Sequence, residues 1–354
     1  MPVCDLASVD VYPILPAKDP WRYRNKMEFS FSQNRAGDRF LGLIIANSRG
    51  HVLNLEECHL TSPWFIETLK SVRSWWVETD LKAYHRYSNT GSLRTLTLRE
   101  GIRTQEKMAI LTVSGHPDFA LSRVQIDGYV KAVQACGAAS VFLCVQQLCK
   151  GSPTQFFEMH LAGPDHINEY LEIGTRAYKF KISPRSFFQP NTLQAEALYR
   201  RALEMVSPGK KKLVLDLYCG TATLGMSFAL QAEKVVGIEL APEAILDAEC
   251  NLQVNEISNV ELHCGDVGKI LQREKIASPD LVIVDPPRAG LMDDALQQLL
   301  ALAPKEILYI SCNPETQAKN IKALLENGYK LTALQPVDQF PHTPHIENIA
   351  HLSR

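Results

Sequence analysis

The sequence predicts an α/β chain in two parts. The C-terminal part reads as a doubly wound, mostly parallel sheet with an antiparallel pair at its edge, and the N-terminal part as an α/β domain with antiparallel strands. Three observations predict this. The second half alternates short, near-continuous apolar runs with helix-like segments, the pattern of parallel strands covered on both faces. Its last two strand-like runs are joined by a loop alone, which suits an antiparallel pair. The first half instead holds strict polar–apolar alternation in Met27–Ser32 and Leu93–Leu98, expected of half-solvated antiparallel strands.

Taken in order, the second-half strands are Lys212–Tyr218, Lys234–Glu239, Val260–Cys264, Asp280–Asp285 and Glu306–Ser311, followed by Tyr329–Val337 and Ile346–Leu352 around the loop Asp338–His345. Helices are expected at 222–231, 242–255, 267–275 and 293–302, with an earlier one from Thr192 to Met205. In the first half, a strand beginning near Trp21 would place Arg22, Arg24 and Lys26 on one face, because side chains repeat every two residues. The boundary is expected near Ser183-Pro184, giving domains over 1–185 and 186–354.

Composition excludes several classes. The 354 residues are 45% hydrophobic and 21% charged, which rules out wholesale disorder, collagen and a coiled-coil rod. No run approaches ~18 apolar residues, so no spanning helix and no membrane partner are expected. Met1–Asp5 has no basic or apolar signal character, so a cytoplasmic monomer is the expectation. Nine scattered cysteines without a Cys-x-x-Cys pair suit reduced thiols in a reducing compartment. Residues 1–185 carry 22 cations against 18 anions and residues 186–354 carry 15 against 21, so a modestly basic half is joined to an acidic one.

The chemistry gathers at predicted strand ends. Asp216-Leu-Tyr218-Cys-Gly220 opens the first strand-to-helix turn, where glycine lets backbone approach a ligand. Glu239 ends the next strand, where a ribose diol would need an acceptor, and Asp266 follows the third, where an adenine amino group could lie. Together they point to an adenosine-containing ligand. The fourth strand ends in Asp285-Pro-Pro-Arg288-Ala-Gly290 and the fifth in Ser311-Cys312-Asn313-Pro314, which places a cysteine as a nucleophile. Phe340-Pro-His342-Thr-Pro-His345-Ile-Glu347 precedes the last strand; an acid/base role is preferred there over a metal, because further ligands are missing.

These motifs, with Trp21–Lys26 and Phe187-Phe-Gln189-Pro-Asn191, resemble those of the RNA uracil-5 methyltransferases, which form 5-methyluridine in ribosomal or transfer RNA. The resemblance covers nearly the whole chain. It implies a Rossmann-like methyltransferase domain, an N-terminal RNA-recognition domain and S-adenosylmethionine as cofactor. It implies that Gln189, Tyr218, Gly220, Glu239, Asp266 and Asp285 hold that cofactor, that Cys312 is the nucleophile and that Glu347 is the base. Arg22, Arg24 and Lys26 form a basic row suited to RNA phosphates. Many ribosomal-RNA members carry an oligonucleotide-binding TRAM domain and four cysteines around an iron–sulfur cluster. Cys58 resembles the fourth of these, but upstream of it stands Cys4 alone, so the chain reads as either a cluster-free member or a shortened one, and an iron–sulfur cluster is not expected. Ala222 replaces a glycine common in the first motif.

The implied reaction explains the residue types. A thiolate adding to uracil C6 makes C5 electron-rich, and a base must later remove the C5 proton so that the thiol can leave. The uridine must be flipped out or offered from a loop, which suits single-stranded RNA. Ribosomal RNA is favoured over transfer RNA by Cys58 and its surroundings. Two rivals predict otherwise. An amino-group methyltransferase using Asp285-Pro-Pro leaves Cys312 and Glu347 without work, and a non-catalytic RNA-binding protein has no need of a nucleophile.

Overall fold

A computed structural model describes residues 9–48, 50–148, 151–274 and 276–354; Cys4, Cys149 and the Met1–Asp5 segment lie outside the described residues. The chain divides into two compact units, one of residues 1–20, 170–181 and 185–354, the other of 21–169 and 182–184. The last passage between units falls beside Ser183-Pro184. The opening segment clusters with the C-terminal unit because its short strand β1 (Asp10–Val11) is paired there.

The 21–169 unit is built on a seven-stranded sheet: β2 (Lys26–Gln33), β3 (Arg39–Ile44), β4 (Val52–Asn54), β5 (Leu93–Glu100), β6 (Lys107–Ser114), β7 (Ser140–Gln147) and β8 (Gln155–Ala162), ordered β4-β3-β2-β5-β6-β7-β8. Helices α1 (Pro63–Val77) and α2 (Arg123–Gln134) join one core with it, in which Phe29, Leu96, Leu111, Trp76 and Tyr129 are fully buried. Ser122 and Gln125 close a capping box at the start of α2. Every neighbouring pair is antiparallel except β6–β7, which α2 connects in parallel.

Two expectations for this unit are corrected. The stretch from Trp21 is not a strand, because Arg22 adopts a left-handed backbone (φ 51°) and regular pairing begins at Lys26. Arg22 and Arg24 instead donate their backbone N–H groups to His59 O and Leu60 O. Burial still alternates: Tyr23, Asn25 and Met27 are inside, Arg22 is exposed, and Arg24 and Lys26 are half-buried. Nor is β5 half-solvated. Thr97, Arg99 and Glu100 are buried, and their polar groups are partnered, Arg99 donating to Ser183 O and Glu100 accepting from Ser62 Oγ at 2.8 Å.

The ribbon β9 (Ile167–Ile173) and β10 (Arg176–Ile182) follows, then α3 (Thr192–Met205), which Asn191 caps by accepting from Gln194 N–H. After it run β11 (Lys211–Leu217), α4 (Thr223–Ala229), β12 (Ala232–Glu239), α5 (Pro242–Val254), β13 (Val260–Cys264), α6 (Val267–Arg273), β14 (Leu281–Val284), α7 (Asp293–Leu302), β15 (Glu306–Ser311), α8 (Pro314–Glu326), β16 (Lys330–Val337) and β17 (Glu347–Ser353). The eight-stranded sheet is ordered β1-β16-β17-β15-β14-β11-β12-β13. β11 to β15 run parallel to one another, and β17 is antiparallel to both β15 and β16. The two-residue β1 lies outside this antiparallel pair, so the pair is one strand in from the edge. Helix α8 was not expected, although Asn313-Pro314-Glu315 is a capping signal for it.

A buried ion network holds the amino end of the sheet. Glu306 takes Lys211 Nζ at 2.7 Å and lies 3.1 Å from His351 Nε2. Burial alone would raise the Glu306 carboxyl, but hydrogen bonds from His351, Lys211 and Ser207 N–H outweigh it and hold the group at about 2. Among the described residues, no helix is long and apolar enough to cross a membrane.

Candidate active site

Strand order reverses at β11: the chain adds β12 and β13 on one side, then returns to add β14 and β15 on the other. Ligands of open α/β sheets bind at the carboxyl ends of the strands beside such a switch point. A cavity of about 720 Å³ lies there. Gln189, Tyr218, Gly220, Glu239, Asp266, Asp285, Cys312 and Glu347 all line it, and all belong to one unit. Arg22, Arg24 and Lys26 belong to the other unit and line no part of it.

The turn after β11 is left-handed at three alternate residues, Tyr218 (φ 63°), Gly220 (φ 54°) and Ala222 (φ 60°). At Ala222 that conformation costs a residue with a Cβ about 1–2 kcal/mol, so alanine is tolerated at a price in strain. The turn packs Gly220 N–H against Glu239 Oε2 at 3.1 Å, while Ala241 N–H reaches Glu239 Oε1 at 2.8 Å. Glu239 is thereby fixed with acceptor capacity left on both oxygens. Asp266 is exposed and caps α6, accepting from Lys269 N–H at 3.0 Å. Beside it, the Tyr218 hydroxyl is pushed up to about 12, mainly by burial.

Asp216 lies under this turn and is 1% exposed. Its Oδ2 accepts from Gly225 N–H at 2.8 Å, while its Oδ1 has no hydrogen-bond partner among the described residues. Burial pushes its carboxyl up to about 7, against the Gly225 hydrogen bond.

The other wall carries the cysteine. The Arg288 carbonyl accepts from Asn313 Nδ2 at 3.0 Å and from Thr316 Oγ1 at 3.2 Å, which ties the Asp285–Gly290 turn to the start of α8. Arg288 thereby acts on the Cys312 thiol. Burial raises that thiol and the carboxylates of Glu347 and Asp285 raise it further, while Arg288 lowers it by charge and by a hydrogen bond. Glu347, the first residue of β17, is buried; burial and Asp285 push it up to about 8, again opposed by Arg288. Burial pushes Asp285 up to about 7. Gln189 hydrogen-bonds the buried Tyr199, and its Oε1 lies 3.5 Å from Gln339 Nε2.

The two histidines near Glu347 are placed differently. His342 is exposed on a left-handed backbone (φ 65°), and His345 lies 3.5 Å from Arg288 Nη2. Among the described residues, no three His, Cys, Asp or Glu side chains are gathered as metal ligands. Two cavity residues escaped the sequence reading of roles. Arg288 stands in the sequence only as part of the Asp285–Gly290 motif, and its effect on Cys312 depends on a turn anchored by α8. Asp216 was read as part of a glycine turn; an acid ending an apolar strand is the signal that could have found it.

Comparison with known proteins identifies the family. The family model described as tRNA (uracil-5-)-methyltransferase matches residues 157–266 and 271–354, over half of the chain. An uncharacterized RNA methyltransferase of Protochlamydia amoebophila is 46% identical over 98% of this chain and 81% of its own length. One of Chlamydia trachomatis is 39% identical over 99% of this chain and 89% of its own. The solved Pyrococcus abyssi tRNA (uracil-54, C5)-methyltransferase, in complex with S-adenosyl-L-homocysteine, matches with a TM-score of 0.75 and 27% identity over 97% of this chain and 78% of that one. On the family model and these relatives, the chain belongs to the tRNA (uracil-5-)-methyltransferase family.

Proposed function

We propose that this protein methylates C5 of a uridine in RNA through a covalent adduct between Cys312 and C6, with S-adenosylmethionine as methyl donor. The observation that carries this reading is the meeting of Cys312, Glu347, Asp285 and Arg288 in one cavity with the acids at the ends of β11 and β12. The cavity suits the donor. Glu239 offers acceptors for a ribose diol, and the buried, unpartnered Asp216 Oδ1 suits an ammonium group. Gln189, Tyr218, Gly220, Asp266 and Asp285 would complete the holding set. S-adenosylmethionine, when bound, supplies an electrophilic methyl group.

The chain's own residues do the rest. The Cys312 thiolate adds to C6, and the electron pair of the C5–C6 double bond moves toward C5 and its adjoining carbonyl. Arg288 favours that thiolate against burial and two carboxylates. Once C5 carries the methyl group, Glu347 takes the C5 proton, the double bond re-forms and the C6–sulfur bond breaks to release the thiolate. A carboxyl poised at about 8 is a competent base for that proton. Glu347 is preferred to His342 and His345 because it is buried and fixed at the start of a paired strand.

We assign RNA recognition to the 21–169 unit, with Arg22, Arg24 and Lys26 among its phosphate contacts. The substrate class is a single-stranded or loop uridine, since a stacked base cannot be reached. Cys58 and its surroundings favour ribosomal RNA; likeness to the Pyrococcus tRNA (uracil-54, C5)-methyltransferase favours transfer RNA. The test uses RNA tritiated at uracil C5. Release of one tritium per methyl group gained, abolished in Cys312→Ala, is the expected result. RNA that gains methyl groups without releasing tritium would overturn C5 chemistry in favour of an amino-group target. Neither release nor methylation, on ribosomal and transfer RNA alike, would overturn the assignment altogether.

A further inference from the structure

The 21–169 unit carries a second aromatic–cationic stretch besides the Arg22 row. From Leu81 to Arg99 the sequence holds Lys82, Arg86, Arg94 and Arg99, two tyrosines and one histidine, and no carboxylate. A short hairpin closes over its first half. Tyr84 N–H donates to Leu93 O and His85 N–H to Thr90 O, each at 2.7 Å. Gly91 turns the chain on a left-handed backbone (φ 94°), where a Cβ would stand 2.2 Å from Ala83 O.

Several of the hairpin's polar side chains are partnered within it. Tyr84 OH donates to Asn89 Oδ1 at 2.9 Å, the Ser88 and Thr90 hydroxyls lie 2.7 Å apart, and the Arg94 guanidinium stacks over the Tyr84 ring at 3.6 Å. At the tip the pattern stops. Tyr87 is 81% exposed, with the Arg86 guanidinium 4.6 Å from its ring centre and the His85 ring tilted beside it at 5.8 Å between centres. The loop thus holds out one large exposed aromatic ring and one planar cation that donates to the Tyr87 hydroxyl at 3.0 Å and pairs with no carboxylate among the described residues.

We propose that Tyr87 and Arg86 form a stacking platform for a base of single-stranded RNA, Tyr87 taking the base face and Arg86 the adjoining phosphate. Unstacked bases are recognised on aromatic rings and guanidinium planes, and phosphates by arginine. A cation already lying on the ring stabilises the loop in its binding form, so little ordering remains to be done on association. The inference rests on the reading that RNA is the substrate, and adds where the strand is gripped.

The test measures anisotropy of a fluorescein-labelled twelve-nucleotide single-stranded RNA of mixed sequence, and of the same strand in a blunt duplex, with the full chain. Tyr87→Ala should weaken single-strand binding by about 5- to 150-fold, the span expected for one stacked base, and leave duplex binding within about twofold. Tyr87→Phe should restore it. Arg86→Ala should lower the slope of log affinity against log salt by about 0.7. Unchanged single-strand affinity in Tyr87→Ala, equal losses on both RNAs, or failure of Tyr87→Phe to restore binding would overturn the platform and leave the uridine chemistry standing. A wild-type chain that binds neither RNA would overturn both. S-adenosylmethionine affinity and melting temperature, read on the same variants, should match the parent; a shared loss there would show misfolding and overturn the surface assignment.

Discussion

Gly225 and Asp216 define how closely a helix can approach a strand end in this protein: the Gly225 N–H lies 2.8 Å from Asp216 Oδ2, and a Cβ on Gly225 would stand 2.9 Å from that same oxygen. The glycine is thus required by space at a helical position rather than by a special backbone angle. Gly225→Ala should push α4 off Asp216 and lose a hydrogen bond to a buried carboxyl, at about 1–3 kcal/mol. Urea unfolding measures that loss, and calorimetric titration with S-adenosylmethionine should show weaker binding in parallel. Parent-like stability and affinity would mean that the helix has room to shift.

The pH dependence follows from Glu347. It acts as a base in its deprotonated form, and its carboxyl sits at about 8, so tritium release from the preformed methylated adduct, a step that no longer needs the free Cys312 thiolate, should rise with pH and level off above 8. Below that the rate should fall about tenfold per pH unit. A rate flat from pH 6 to 9 would remove Glu347 from the proton transfer.

The same carboxyls give stability the opposite trend. Asp216 and Asp285 move from 3.8 to about 7 on folding, and Glu347 from 4.5 to about 8. The folded state therefore holds these protons more tightly than the unfolded one. Their contribution is fully present below pH 4 and is lost as pH rises toward 8. Urea midpoints of the ligand-free protein should fall across that window, and Glu347→Gln should flatten the fall.

Arg288 is the cation that opposes burial at the thiol. Arg288→Ala should raise the Cys312 pKa and slow its alkylation by iodoacetamide at pH 8 by about threefold or more. Arg288→Lys should recover part of the charge effect without the planar hydrogen-bonding fork. Alkylation at the parent rate in Arg288→Ala would show that the thiolate is favoured by something else.

Glu347→Gln offers a direct view of the adduct. Without the base, attack and methylation should proceed and elimination should stall, leaving RNA bonded to Cys312 as a slow band on a denaturing gel. Cys312→Ala should abolish that band. Rapid turnover by Glu347→Gln, with stalled adducts in His342→Ala or His345→Ala, would move the base to a histidine.

The Arg22, Arg24 and Lys26 row can be tested by replacing all three with alanine. RNA affinity should fall, and the salt slope should drop by up to about two to three units in proportion to the phosphates released. Lys26 is the weakest contributor to expect at high pH: burial and the neighbouring Arg99 lower its ammonium to about 8. Unchanged affinity at low salt would make the row a solvated surface.

The sequence by itself determined most elements of the C-terminal unit and which reactive side chains stand at their ends. A short apolar run such as Leu281–Val284, four residues between Asp280 and Asp285-Pro-Pro, reads as a buried parallel strand from its length and flanking residues. Asp285, Cys312 and Glu239 could be placed at strand ends on that ground alone. Tertiary structure decided which of them meet and in what protonation state. Arg288 reaches Cys312 because Asn313 and Thr316 anchor its carbonyl, and Glu347 comes beside Asp285 because β17 inserts between β15 and β16. Arg22 left the expected strand because its backbone follows His59 O, a partner distant in sequence. The shifts of Asp216, Asp285 and Glu347 likewise come from desolvation, which no local pattern carries. Periodicity is a short-range property of the chain; burial and charge proximity are created when distant segments close on one another.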